Sequence, residues 1–155
     1  MPDLQTEIQQ TKPFESMEVE VYLNMTRTQA LLSQPADMLL KTHGLTRVTY
    51  NILRILRGAG AAGISCCEIQ KRLLARVPDV TRLVDRMVEL GLAERVRTDS
   101  DRRLVLQLLT PKGADLLTEL QEPLLKINKD QFSHMTKEEL KTLNQLLTKA
   151  RQHAS

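Results

Sequence analysis

The chain has 155 residues, 41% hydrophobic and 26% charged, with a net charge of +3, which fits one soluble domain, or one domain with a helical appendage, and a core that needs no metal or disulfide. Aromatic residues are only 3% of the chain, too few for the stacking platform that holds single-stranded nucleic acid. No membrane-length apolar run and no signal-peptide pattern is present in MPDLQTEIQQTK, so the expected location is the cytosol.

The charge is unevenly spread. Residues 44–113 hold 13 Lys and Arg against 7 Asp and Glu, a net +6, and the flanks together carry −3. That distribution suits a basic module held between neutral or acidic helices.

In chain order, residues 1–13 have no period and are expected to form a loose tail. Beyond Pro13, Phe14, Met17, Val21, Met25 and Leu32, with Thr28 between them, fall on one helix face, which Pro35 is expected to bound. A short apolar piece, 38–40, leads to His43 and Gly44, a helix stop. Leu45, Val48, Ile52, Leu53, Ile55 and Leu56 then recur at helical spacing until Gly58, Gly60 and Gly63 end the run.

Ser65-Cys-Cys-Glu68 has the form of a capping box and predicts a short helix over about 66–74. Pro78 and Asp79 mark another start, with Asp79 as N-cap; Val80, Leu83, Val84, Met87 and Leu90 make the core stripe up to Gly91. Thr81, Arg82, Asp85, Arg86 and Glu89 lie on the opposite face. Two helices on a tight link, the second opening on Thr and Arg, form a helix-turn-helix pattern.

Two short apolar runs, 92–96 and 104–108, flank a charged knot containing Asp99, Asp101, Arg102 and Arg103 and predict a β-hairpin. Thr110-Pro111 opens a long helix bearing Leu116, Leu117, Leu120, Leu124 and Ile127, which Pro123 is expected to kink or split. Thr136-Lys-Glu-Glu139 is a second capping box; Leu140, Leu143, Leu146, Leu147 and Ala150 are expected inward on the last helix.

This order of elements, carried by VTRLVDRMVELGLAERV at 80–96 and DRRLVLQLLTPKG at 101–113, resembles the winged helix-turn-helix of the MarR family of bacterial transcriptional regulators. The resemblance implies a mainly α fold with a small β-hairpin wing: N-terminal helices over 14–43, a DNA-binding region over 44–110, and C-terminal dimerisation helices over 111–155. It further implies a homodimer on a pseudo-palindromic operator in double-stranded DNA, usually repressing, and often released by a small-molecule effector. By residue match the helix from about Val80 is the recognition helix, and Arg102 sits at the tip of a wing that reaches the adjacent minor groove. Redox-sensing members resemble one another in a cysteine near the start of the first helix, which this chain lacks.

Thr81, Arg82, Arg86, Arg97, Arg102 and Arg103 are accordingly the candidate DNA contacts. Arg82 and Arg86 are four apart, so both guanidinium forks can point one way, toward phosphates or the O6 and N7 edge of guanine; the plain alternative is a solvated face on which Arg82 pairs with Asp85 or Arg86 with Glu89. Thr81 can meet a phosphate or a base near the helix start. Arg97, Arg102 and Arg103 flank or occupy the hairpin tip, where an arginine can enter a narrow minor groove or belong to an ordinary polar turn. Arg103 could instead serve structure as the first residue of the returning strand.

Asp99 and Asp101 raise the question of an enzyme, but the short turn offers no further carboxylate, histidine or phosphate-cradling loop, and adjacent arginines keep both acids ionised. No catalytic activity, cofactor or metal is expected. Cys66 and Cys67 cannot form a disulfide framework or zinc site and read as buried, inert residues, with a thiol-based modulation left open. The competing function is a non-catalytic, dimeric winged-helix adaptor for protein partners.

Overall fold

Each of the seven α-helices among the described residues begins at an Asp, Ser or Thr whose side chain accepts a hydrogen bond from the backbone N–H three residues on. This satisfies one of the amides that a helix start leaves unpaired. The computed structural model describes residues 3–97 and 104–152. They form α1 (Leu4–Glu7), α2 (Met17–Thr42), α3 (Arg47–Ala59), a 3₁₀ turn (Gly60–Ala62), α4 (Cys66–Arg72), α5 (Val80–Glu89), β1 (Ala93–Arg97), β2 (Val105–Leu109), α6 (Pro111–Gln131) and α7 (Lys137–Ala150). No helix among these residues is long and apolar enough to cross a membrane.

The core gathers one stripe from each central element. Ile52, Leu53 and Leu56 of α3 meet Ile69 of α4, Val84 and Met87 of α5, Leu92 and Ala93 at the hairpin base, and Leu117 and Leu120 of α6. Full burial of each aliphatic side chain stabilises by about 1.5–3 kcal/mol, so the middle of the chain holds itself together. β1 and β2 pair antiparallel with Ala93 opposite Leu109 and Arg97 opposite Val105. Ile64 adds an isolated antiparallel bridge on the far side of β2, its N–H and C=O bonded to Gln107 at 3.1 and 2.8 Å.

Several expectations are corrected. The tail over 1–13 contains α1, whose Leu4 is buried and whose Glu7 pairs with Arg27 of α2 at 2.9 Å. Pro35 does not bound α2, which runs on to Thr42; the ring removes the donor to the Leu31 carbonyl, and beside it Gln131 Nε2 of α6 donates to the Leu32 carbonyl at 2.7 Å, tying this turn of α2 to α6. Pro123 does not split α6 either. It lies on the exposed side of the helix, where water can serve the carbonyl its ring leaves unpaired.

The Ser65 box is half formed: Ser65 Oγ accepts from Glu68 N–H at 3.3 Å, but the Glu68 carboxylate accepts from Lys71 at 2.6 Å instead of reaching back. On the wing, the leucines of 104–108 are not the deepest anchor. Leu104 is 40% exposed and Gln107 only 2%.

Candidate nucleic-acid interface

α5 is amphipathic by sequence, and the fold uses that pattern directly. Val80, Val84 and Met87 are buried against α3, α4 and β1, which leaves Thr81, Arg82, Arg86 and Glu89 on the exposed side. Asp79 Oδ1 accepts from Arg82 N–H at 2.9 Å and fixes the first turn. At the other end Gly91, at φ +70°, lets its own N–H reach Val88 C=O and the N–H of Leu92 reach Met87 C=O, at 2.9 and 2.8 Å, closing a Schellman motif.

α4 precedes α5 across a seven-residue link, whose start is pinned by Leu74 N–H donating to Asn51 Oδ1 of α3 at 3.2 Å. The pair is a helix-turn-helix with its second helix held outward. Arg72 and Arg76, exposed at the end of α4 and in the link, add positive charge just before α5. They escaped sequence reasoning because they belong to no periodic face.

The two candidate arginines of α5 differ in their partners. Arg86 Nη1 pairs with Glu89 Oε2 at 3.2 Å, the arrangement expected of a solvated face. Arg82 has no ion pair among the described residues. Asp85, the acid that could neutralise it from one turn away, is taken by Arg95 of β1.

Arg97 is exposed at the last ladder pair of β1. Arg102 and Arg103, with Asp99 and Asp101, lie outside the described residues. Among the described residues no cluster of three His, Cys, Asp or Glu could hold a metal ion.

Cys66 is half-buried and Cys67 is exposed, so the reading of both as buried holds for neither in full. Burial pushes the Cys66 thiol up, and a hydrogen bond with Thr81 and the nearby Arg95 charge only partly oppose it. That is the opposite of activation, which needs a lowered thiol pKa.

Two contacts behind α5 were not legible as function. Lys112 Nζ, at the start of α6, donates to Leu90 C=O at 2.8 Å, and Thr110 Oγ1 donates to Gly91 C=O at 2.7 Å. Both serve the carbonyl end of α5, where positive charge and donors are favoured. They join the exposed helix to the long helix that follows the wing.

The profile of the MarR family matches residues 43–104, the stretch from the end of α2 to the residue before β2. The multiple antibiotic resistance protein MarR of Salmonella typhimurium is 31% identical over 124 residues, spanning 77% of this chain and 85% of that protein. A MarR transcription factor from Planctomyces limnophilus superimposes with a TM-score of 0.67 at 34% identity, covering 88% of this chain and 98% of the other. A mutant of Escherichia coli MarR, solved in complex with operator DNA, superimposes with a TM-score of 0.72 at 25% identity over 96% of this chain and 99% of that one.

Proposed function

We infer the function from one premise: the chain belongs to the MarR family of transcriptional regulators, and regulation of transcription through DNA binding follows from that membership. Beyond it, we propose a sequence-specific repressor that sits in the cytoplasm as a homodimer on a pseudo-palindromic operator. The observation that carries the proposal is α5: capped by Asp79, buried along Val80, Val84 and Met87, and offering Thr81, Arg82 and Arg86 to solvent.

On this reading α5 enters the major groove. Arg82 and Arg86 reach base edges or phosphates and Thr81 meets the backbone near the helix start. Arg97, Arg102 and Arg103 act from the wing on the adjacent minor groove. A dimer presents two such helices to half-sites about 34–36 Å apart, and a duplex covered over that length is closed to transcription machinery.

A small-molecule effector fits the same surface. A recess of about 890 Å³ opens beside α5, lined by Val48, Val77, Pro78 and Leu83 together with Arg82, Arg86 and the acids Asp79, Asp85 and Glu89. A molecule seated there would cover the face of α5 that DNA needs.

A fluorescence titration with duplex DNA across a salt series tests the DNA-reading proposal. The logarithm of the binding constant should fall linearly with the logarithm of salt concentration as counterions are released. Negligible duplex binding at physiological salt would favour the protein adaptor instead. Recovery of bound fragments from the source genome then gives the operator and its neighbouring genes.

A further inference from the structure

Arg95 touches both halves of the candidate interface. It lies on β1, opposite Gln107 of β2 in the hairpin register. Its Nε donates to Gln107 Oε1 at 3.3 Å, while its Nη2 pairs with Asp85 Oδ1 of α5.

The Gln107 end of this chain is fixed. The side chain is buried, its Nε2 donates to Val105 C=O at 3.3 Å, and its backbone N–H and C=O are both spent on Ile64. Anchoring Nε of a planar guanidinium leaves little freedom to its Nη2. The direction in which Arg95 meets Asp85 is thereby set by the wing.

The Asp85 end has a choice to make. On a helix, an acid three residues after an arginine is a natural partner for it, so Asp85 could pair with Arg82. It pairs with Arg95, and the Arg82 guanidinium is left without an ion-pair partner among the described residues.

We propose that Arg95 is a positioning residue for duplex recognition: bridging Asp85 and Gln107, it fixes the recognition helix against the wing and diverts the Asp85 carboxylate from Arg82, leaving that guanidinium available to DNA. The inference rests on the DNA-reading function proposed above. The side chains of the pair are 36% and 46% exposed, and exposed ion pairs contribute little to folding stability. Arg95 therefore acts on geometry and on the charge facing DNA, with a small effect on stability.

The test uses a duplex selected by the wild-type protein from a randomised library, beside a scrambled duplex of equal length. Affinities are measured by fluorescence anisotropy for the wild type, Arg95→Met, Asp85→Asn and the double variant, with thermal unfolding as a control. Arg95→Met is expected to lose about tenfold in affinity for the selected duplex, with a melting temperature close to wild type. Adding Asp85→Asn is expected to recover part of that loss, because the carboxylate that Arg95→Met orphans is then gone.

Additive losses in the double variant would mean that Arg95 and Asp85 act on DNA independently and would overturn the proposal. So would unchanged affinity. If Arg95→Met does not fold, Arg95→Lys decides, since it keeps the charge but cannot span both partners: a partial loss upholds the bridge, and wild-type affinity for the selected duplex overturns it. Failure of the wild type to select any duplex instead overturns the DNA-reading function and this inference with it.

Discussion

Arg82 and Arg86 share one face of α5 but not one electrostatic situation. Arg86 must leave Glu89 to reach DNA, a surface pair worth about 0–1 kcal/mol, whereas no ion pair among the described residues holds Arg82. Arg82→Ala is therefore expected to cost more affinity than Arg86→Ala; a residue that reads a base should cost about 1–3 kcal/mol and relax preference at one operator position, and a phosphate contact should lower the salt slope by about one. Titrations against single-base variants of the selected duplex separate the two roles. A different residue-scale constraint stands behind the wing at Gly113, where a β-carbon would lie 2.3 Å from Leu92 O and 2.7 Å from Leu109 Cδ1. Gly113→Ala must push the hairpin base away from α6 and should destabilise by at least about 1–3 kcal/mol. Gly58, in α3 with nothing within 4 Å of the same position, is the contrast: Gly58→Ala should gain up to about 1 kcal/mol. Thermal unfolding of the two variants, shifted in opposite directions, checks both.

At the scale of elements, α2 and α6 are joined by His43, whose Nε2 faces Glu119 Oε1 at 3.2 Å while Nδ1 faces the Leu39 carbonyl at 3.1 Å. The Leu39 carbonyl raises the imidazole pKa above its ordinary 6.5, burial works against it, and the Glu119 carboxylate raises it further. A raised folded-state pKa stabilises fully below 6.5 and loses that contribution as pH climbs through the raised value. Stability measured by urea unfolding should carry this decline above about pH 6.5, and His43→Gln should remove it; a His43→Gln profile parallel to wild type would show that the link is idle. This contact joins residues 76 apart, and the sequence held no sign of it. Caps were legible, because Asp79 and Thr136 sit at fixed offsets from the amides they accept. The Thr46 capping box was not, since its third residue is Thr49 where a Glu or Gln marks the usual pattern. Pro35 and Pro123 misled for one reason: a proline disturbs a helix locally, but packing and exposure decide whether the helix ends. The exposed polar face of α5 was readable from spacing alone. Which cation holds Asp85 was not, because Arg82 is its neighbour in sequence and Arg95 only in space.

The molecule as a whole divides its apolar surface unevenly. The central elements close over their core, but α2 leaves Met17, Val21, Met25 and Leu31 between 38% and 70% exposed, and α7 buries none of its residues. Leu143 and Leu146 of α7 are 36% and 59% exposed, not inward as its spacing suggested within one chain. An amphipathic helix with an uncovered apolar stripe gains little by folding alone, and in the proposed homodimer a second copy of this chain would supply the same stripe in return, as a two-fold contact requires. The paired variant Leu143→Glu and Leu146→Glu should place four acids at that seam in the proposed dimer and separate it in sedimentation. The central core contains no residue of α7, so the separated chain should retain its cooperative unfolding. Each monomer then carries one recognition helix, and losing the second, tethered contact should weaken binding to the selected duplex by about a hundredfold or more, with the salt slope roughly halved as phosphate contacts from one protomer vanish. A variant that separates yet binds as before would confine recognition to one half-site. One that stays dimeric would move the seam to α2 and the outer half of α6, where Met17, Tyr22, Met38 and Leu125 are also exposed.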